Sequence, residues 1–217
     1  MLQTPSRHEL ARRLPRLVFG LVLFGIGIAI QIVSHLGLSP WEVLHQGISF
    51  KTGIPIGTVG ILTGIAVLLL WIPLRERWGI GTVFNVFVIG IVIDLTLWLI
   101  PTEVDQLWLR WVLLLGGIVL VAIGSGFYIG AGLGPGPRDG LMTGLARKGW
   151  NVGVARLVIE VTVLSLGWLL GGTVGLGTVI FAFGMGPLIA FFLPMFSLEP
   201  LPGREIHVPP SAGAGEL

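Results

Sequence analysis

The chain has 217 residues, of which 53% are apolar and only 11% are charged. A soluble domain carries roughly 25% charged residues, so this composition predicts a membrane protein. Thirteen Lys and Arg against eleven Asp and Glu leave a formal charge of +2, and the basic residues lie in turns and tails, which argues against nucleic-acid binding. The chain contains no cysteine, which excludes disulfides, thiolate metal sites and cysteine nucleophiles.

The sequence gives no support for a metal site, a nucleotide-binding site or a catalytic nucleophile. No Walker motif is present, which argues against ATP-driven pumping by this chain alone. No nucleophile stands with a base in a recognisable arrangement, so we expect no enzyme, not even one acting on lipids. We also expect no metal and no other cofactor, because the histidines show neither an HExxH nor an HxH spacing. These histidines are His8, His35, His45 and His207.

Six apolar stretches are long enough to cross a bilayer, whose core of about 30 Å takes about 20 helical residues. They are residues 17–34, 56–74, 81–100, 108–131, 152–171 and 176–196. The first follows a basic leader, residues 1–16, but it is long for a signal-peptide core and lacks a small-x-small cleavage site, so we interpret it as a retained span. Tryptophans near the span ends are expected to anchor the helices in the interface; they are Trp71, Trp78, Trp98, Trp108, Trp111, Trp150 and Trp168.

The basic residues predict the orientation, because Lys and Arg are concentrated in cytoplasmic loops. They cluster in the leader, in the turn at 75–80 and in the segment 135–151, whereas the other loops carry only Lys51, only Arg110 or none. We therefore expect a multi-pass protein of the cell (inner) membrane with both termini in the cytoplasm. The tail, residues 197–217, is rich in Pro, Gly and small residues and is expected to be a disordered cytoplasmic end.

The chain contains an internal repeat. Shifting the sequence along itself by 97 positions, and by 96 after one deletion, superposes Gly20 on Gly117, Gly27 on Gly124, Pro40 on Pro137, Gly47 on Gly144 and the GTV string at 81–83 on that at 177–179. Each half contains three spans, and because three is odd the second half enters the membrane from the opposite side. The predicted fold is an all-α polytopic membrane protein of six transmembrane helices, arranged as two inverted three-helix repeats, residues 17–107 and 108–196. Each repeat has a short broken or re-entrant helix after its first span.

A short, punctuated segment follows the first span of each half: HLGLSPWEVLHQGI at 35–48 and GLGPGPRDGLMTGL at 132–145. Both segments predict a turn and then a helix of about ten residues, which is too short to span. In the first, Ser39 is the predicted N-cap, Pro40 takes the first helical position and Glu42 completes a capping box. The equivalent residues of the second segment are Gly136, Pro137 and Asp139.

Two interpretations of these short helices stay open. They lie at the membrane interface and reverse the chain, or they dip into the protein as re-entrant half-helices whose unpaired N–H groups and positive dipole ends face the midplane. Interfacial helices carry Lys and Arg on one face, whereas residues 40–49 contain no basic residue. We therefore favour the re-entrant arrangement.

Charged residues inside the predicted spans are few and, because a charge in lipid is costly, they should face the bundle interior. Arg156 and Glu160 are four residues apart on one helix and can form an ion pair, either structural or functional. Asp94 has no partner in its own helix, and Arg138 and Arg156 are both plausible partners. We expect a substrate site where the two short helices meet, formed by Ser39, Glu42, His45, Asp94, Gly136, Arg138, Asp139, Arg156 and Glu160.

Arg138 stands at the second position of a predicted helix N-terminus. Its guanidinium and the helix dipole add to one positive potential, which suits a carboxylate or phosphate group. Asp139 beside it tempers that potential and is also a candidate cap of the helix. His45 is able to carry a proton in principle, but a lone His near an interface is more often a plain hydrogen-bonding residue.

Several strings of the sequence resemble the YczE-like group of bacterial integral membrane proteins, which is grouped with YitT and YyaS. They are GLGPGPRDGLM, NVGVARLVIEVTVL and GGTVGLGT, with LGLSPWEVLHQG, TGIPIGTVGIL and GIGTVFNVFVIG in the first half. The resemblance covers residues 17–196 and implies a polytopic bacterial inner-membrane protein. Some members of the group are associated with secondary-metabolite production, and the group supplies no catalytic or ligand residue to carry over.

Two functions remain in competition. The first is a secondary transporter of a small solute or ion, with its site at the interface of the repeats; the inverted repeat, the paired helix breaks and the buried acids support it. The second is a non-transporting membrane accessory protein that scaffolds a biosynthetic complex. The expected partners are the lipid bilayer and a small-molecule or ion substrate, with a homodimer as a possible assembly.

Overall fold

The computed structural model describes residues 6–198, which contain helices and no strand. Six of the helices are long and apolar enough to cross a membrane, as the sequence predicts. Over the described range the helices are α1 (Arg7–Ser34), α2 (Pro40–Thr52), α3 (Ile56–Leu74), α4 (Ile80–Leu99), α5 (Leu107–Gly130), α6 (Pro137–Arg147), α7 (Val152–Leu169) and α8 (Leu176–Phe196). The short helices α2 and α6 begin at the two prolines expected to start them.

From Arg7 onward the basic leader is helical and continuous with the first span, since α1 begins at this residue. A capping box starts the helix early: the Ser6 side chain accepts from the Glu9 N–H, and the Glu9 carboxylate accepts from the Ser6 N–H at 2.9 Å. The predicted disordered tail at 197–217 lies outside the described residues, except for Ser197 and Leu198.

Helices α1 and α5 form the centre of the bundle and cross with their backbones in contact. A Cβ atom added to Gly20 would lie 2.7 Å from the carbonyl oxygen of Gly124, and one added to Gly27 would lie 2.8 Å from that of Gly117. Small residues allow such close approach of helices in a membrane. The earlier glycine of α1 meets the later glycine of α5, so the two helices run antiparallel.

Two arginines cap the ends of this central pair in a reciprocal way. Arg13 of α1 donates from Nη1 to the Ala131 carbonyl after α5 at 2.9 Å, and Arg110 of α5 donates from Nε to the Ser34 carbonyl of α1 at 2.7 Å. A cation at a helix C-terminus satisfies carbonyls that have no partner within the helix and interacts favourably with the dipole. Arg13 and Arg110 are 97 positions apart, a signal within the repeat that the sequence analysis missed.

The loops that precede the short helices make a second pair of matching contacts. The Gly81 N–H of α4 donates to the Leu133 carbonyl at 3.0 Å, and the Gly177 N–H of α8 donates to the Leu36 carbonyl at 2.8 Å. Each loop is thereby fixed to the start of a long helix from the other half of the sequence. Contacts between the two halves therefore fix where the N-terminal ends of α2 and α6 lie within the bundle.

The short helices themselves pack across the halves, α2 against α7 and α6 against α3. Trp71 of α3 is fully buried, lies against Gly140 of α6 and donates from Nε1 to the Pro137 carbonyl at 3.0 Å. The expectation that Trp71 is an interfacial anchor is therefore wrong. Because Gly140 has no side chain, it leaves room for the indole inside the protein.

Asp94 stabilises the α3–α4 hairpin and pairs with neither of the arginines expected from the sequence. Its carboxylate accepts from the N–H groups of Gly57 and Thr58 at 2.6 and 2.8 Å and from the Thr58 hydroxyl at 2.8 Å. The first N–H groups of a helix have no partner within it, and α3 follows Pro55, whose side chain cannot cap. Asp94 therefore caps α3 from the neighbouring helix.

Replacing Asp94 by Ala is expected to lower the free energy of unfolding by about 2 kcal/mol, because it leaves two helix N–H groups and a hydroxyl without their charged acceptor. Asp94→Asn should lower the free energy of unfolding less, because its amide oxygen still accepts a hydrogen bond. The matched control is Asp105→Ala on the exposed loop before α5. Denaturant titration in micelles measures the three variants, and equal losses for Asp94→Ala and Asp105→Ala would contradict the capping role.

Candidate functional site

A cavity of about 230 Å³ lies among the helices, and each of α1 to α8 contributes to its wall. The side walls from α1, α3, α4, α5 and α8 are mostly apolar, whereas the polar groups come chiefly from the short helices and α7. Of the residues selected from the sequence, all but Asp94 line the cavity: Ser39, Glu42, His45, Gly136, Arg138, Asp139, Arg156 and Glu160. Asp94 is committed to capping α3.

Both short helices begin at the cavity wall. Ser39 and Gly136 are the N-caps and the prolines occupy the first helical positions, as expected. The predicted capping box is wrong, because the Ser39 side chain makes no capping hydrogen bond. The carboxylate of Glu42 is engaged elsewhere, by Arg138.

Glu42 and Arg138 form an ion pair that joins the first turns of α2 and α6. Arg138 Nη2 lies 2.7 Å from Glu42 Oε1, and the Glu42 side chain is 5% exposed against 32% for Arg138. The guanidinium also lies over the Trp41 ring, 5.1 Å from its centroid, at a cation–π distance. The positive potential expected at Arg138 is therefore largely offset by a carboxylate of the protein itself.

His45 extends this network from α2 to α3. Its Nδ1 lies 4.0 Å from Glu42 Oε1, and its Nε2 is hydrogen bonded to the Thr63 hydroxyl at 2.8 Å. The imidazole is buried. A chain of polar contacts thus runs from Arg138 through Glu42 and His45 to Thr63, a residue that the sequence analysis did not select.

Asp139 lies at the corresponding position of α6 but has a different partner. The Tyr128 hydroxyl of α5 donates to Asp139 Oδ2 at 3.2 Å. Within residues 6–198 no Lys, Arg or His nitrogen lies within ion-pair distance of this carboxylate. Tyr128 is buried, whereas Asp139 is exposed. The signal that could have found Tyr128 is its rarity, since it is the chain's only tyrosine and stands within a predicted span.

Arg156 and Glu160 complete the charged part of the wall. Arg156 Nε lies 2.9 Å from Glu160 Oε1 on successive turns of α7, which confirms the predicted pairing. Across the part of the chain that the structure describes, no group of three or more His, Asp or Glu side chains is arranged to hold a metal ion. The polar part of the cavity wall is thus built from paired charges and one hydroxyl-bound carboxylate, with aromatic rings beside them.

These features define a class: a multi-pass helical membrane protein with a charged internal cavity. The profile of a family of unknown function, DUF6198, matches residues 11–194. The chain belongs to this family, and no solved structure matches it.

Relatives cover nearly the whole chain. An uncharacterized protein of Haemophilus influenzae is 40% identical over 89% of this chain and 86% of its own. The uncharacterized membrane protein YczE of Bacillus subtilis is 34% identical over 87% and 88%. A third, the uncharacterized protein YyaS of Bacillus subtilis, is 26% identical over 81% and 90%. The YczE-like resemblance inferred from the GPGPRD region and its companions is confirmed.

Proposed function

We propose that the protein is a secondary transporter of a small solute, with the cavity as its binding site at the interface of two repeats. The observation that carries this proposal is the cavity itself, whose charged side chains come from a short helix of each half and from α7. Its volume of about 230 Å³ is below the range of roughly 300–1,000 Å³ for drug-sized ligands. A solute of a few heavy atoms is therefore the expected cargo.

The two halves form an inverted repeat in this proposal. Three kinds of contact support it: the glycine crossings of α1 and α5, the arginine caps and the loop hydrogen bonds each occur twice, with partners exchanged under the 97- or 96-residue shift. Contacts exchanged in this way are expected of two units related by a two-fold axis. Because α1 and α5 are antiparallel, the axis lies in the membrane plane in this proposal. The concentration of Lys and Arg in the leader and in the segments 75–80 and 135–151 supports cytoplasmic termini.

The short helices are re-entrant in the same proposal. Most of the first two turns of α2 is buried, including the charged Glu42, whereas an interfacial helix keeps a polar face in water. Both α2 and α6 begin at the cavity wall, so their N-terminal N–H groups lie close to a bound solute. Broken helices beside a central site are characteristic of secondary transporters.

Transport is tested with purified protein in proteoliposomes, screened for uptake and efflux of small amines, amino acids and organic anions with and without a pH gradient. We expect flux of at least one class. Arg138→Gln and Asp139→Asn, each normalised to the amount of folded protein, should reduce it about tenfold or more, since both alter the polar wall. Arg147→Gln is the matched control, because Arg147 pairs with Glu76 outside the cavity wall.

If both cavity variants, at normal abundance, transport the solute as fast as the wild-type protein, the cavity is not the binding site. An absence of flux across the whole panel would contradict the transporter and favour the second function, a membrane accessory protein of a biosynthetic complex.

A further inference from the structure

We propose that the cavity binds a small organic cation, with the carboxylate of Asp139 as its anionic anchor. This inference rests on the proposed function and names the substrate class. The wall carries three carboxylates, those of Glu42, Asp139 and Glu160, against the guanidiniums of Arg138 and Arg156. The arrangement therefore has one carboxylate more than it has permanent cations.

Both guanidiniums are already paired with carboxylates of the same wall. Arg138 binds Glu42 at 2.7 Å and Arg156 binds Glu160 at 2.9 Å. Asp139 is the carboxylate left over, and the Tyr128 hydroxyl at 3.2 Å supplies a hydrogen bond but no charge. An anionic solute would have to compete with Glu42 or Glu160 for its arginine and would add a further negative charge beside Asp139.

The equivalent position in the first half of the chain shows how a carboxylate at this point of a short helix binds a cation. Asp139 stands 97 positions after Glu42, and both are third residues of a short helix. Glu42 holds the guanidinium of Arg138, which lies over the Trp41 ring. Among residues 6–198, no guanidinium lies within ion-pair distance of Asp139. The cationic group of a solute would form an ion pair with Asp139, as Arg138 does with Glu42.

The aromatic part of the wall is an independent indication that the cavity binds a ligand. Trp41 lines the cavity and is 8% exposed, and its indole N–H has no hydrogen-bond partner within the described residues. Buried N–H groups nearly always have an acceptor. Tyr128 and Phe24, whose rings meet edge to face at a centroid distance of 6.1 Å, add π surfaces to the same wall. Aromatic rings beside a carboxylate suit a cation, and an oxygen on that solute would give the Trp41 N–H its acceptor.

The test uses the full chain in lipid nanodiscs and three probes of similar shape: choline, its uncharged carbon isostere dimethylbutanol, and the anion pivalate. Calorimetry should show choline binding about tenfold or more tighter than dimethylbutanol, and no binding of pivalate. Asp139→Asn should bring choline and dimethylbutanol to within about twofold of each other. The control Glu76→Gln removes a carboxylate outside the cavity wall and should keep the wild-type preference.

Binding of pivalate in preference to choline, no choline binding, or an undiminished preference in folded Asp139→Asn would each overturn the cation site. Should Asp139→Asn not fold, the preference of the wild-type protein among the three probes decides. The two proposals fail separately: choline binding without flux in proteoliposomes removes the transporter and keeps the cation site. Flux of organic anions alone would support the transporter proposal and contradict the cation site.

Discussion

Replacing Gly117 by Leu is expected to abolish folded protein in the membrane, whereas the same replacement one residue earlier, at Gly116, should leave it intact. A Cβ at Gly117 would lie 2.6 Å from the Gly27 carbonyl oxygen and 2.6 Å from Cγ of Gln31. Neither neighbour can yield easily, since one is helix backbone and the other a buried side chain. Overpacking in a core costs about 1–3 kcal/mol, occasionally more, and here it would separate the two helices at the centre of the bundle.

Gly116 provides a matched control because it belongs to the same helix, and its added Cβ would meet no atom within 4 Å beyond the local backbone of that helix. Leucine facing lipid is favourable, so Gly116→Leu should express and unfold like the wild-type protein. Gel-filtration profiles in detergent and protease resistance in membranes measure the difference. Similar behaviour of the two variants would contradict the close crossing of α1 and α5.

Removal of Arg138 is expected to cost more stability than removal of Glu42, although the two form one ion pair. Arg138→Gln leaves a carboxylate whose side chain is 5% exposed, whereas Glu42→Gln leaves a guanidinium that is 32% exposed and still lies over Trp41. A buried charge without its partner costs about 3–5 kcal/mol. We therefore expect a loss of about 3 kcal/mol for Arg138→Gln and about 1 kcal/mol for Glu42→Gln, the latter because a partly exposed charge keeps its solvation.

The double variant Glu42→Gln with Arg138→Gln should lose less than the sum of the two single variants, by about 1–2 kcal/mol, because the uncompensated charge is gone. This double-mutant cycle is measured as the free energies of unfolding of the wild-type protein and the three variants in micelles at one pH. Equal losses for the single variants, or additive losses in the double variant, would show that the pair does not hold α2 and α6 together.

The sequence determined the secondary structure of this protein closely, and the reason is local. A helix that crosses lipid needs a continuous apolar run, so α3, α4, α5, α7 and α8 lie within two residues of the predicted spans. Proline at the first helical position fixed the starts of α2 and α6. The helical pairing of Arg156 with Glu160 followed from their spacing alone.

The tertiary structure decided which polar groups meet, because partners far apart in sequence leave no periodic signal. Asp94 was expected to pair with an arginine and instead caps α3, since the α3–α4 hairpin places helix N–H groups beside it. Glu42 was expected to cap its own helix and instead binds Arg138. Trp71 is buried rather than interfacial because Gly140 of α6 lies against its ring. Sequence placed the short helices and their charges. Packing between the two halves decided that, of the three carboxylates of the cavity wall, Asp139 is the one without an ion pair within the described residues.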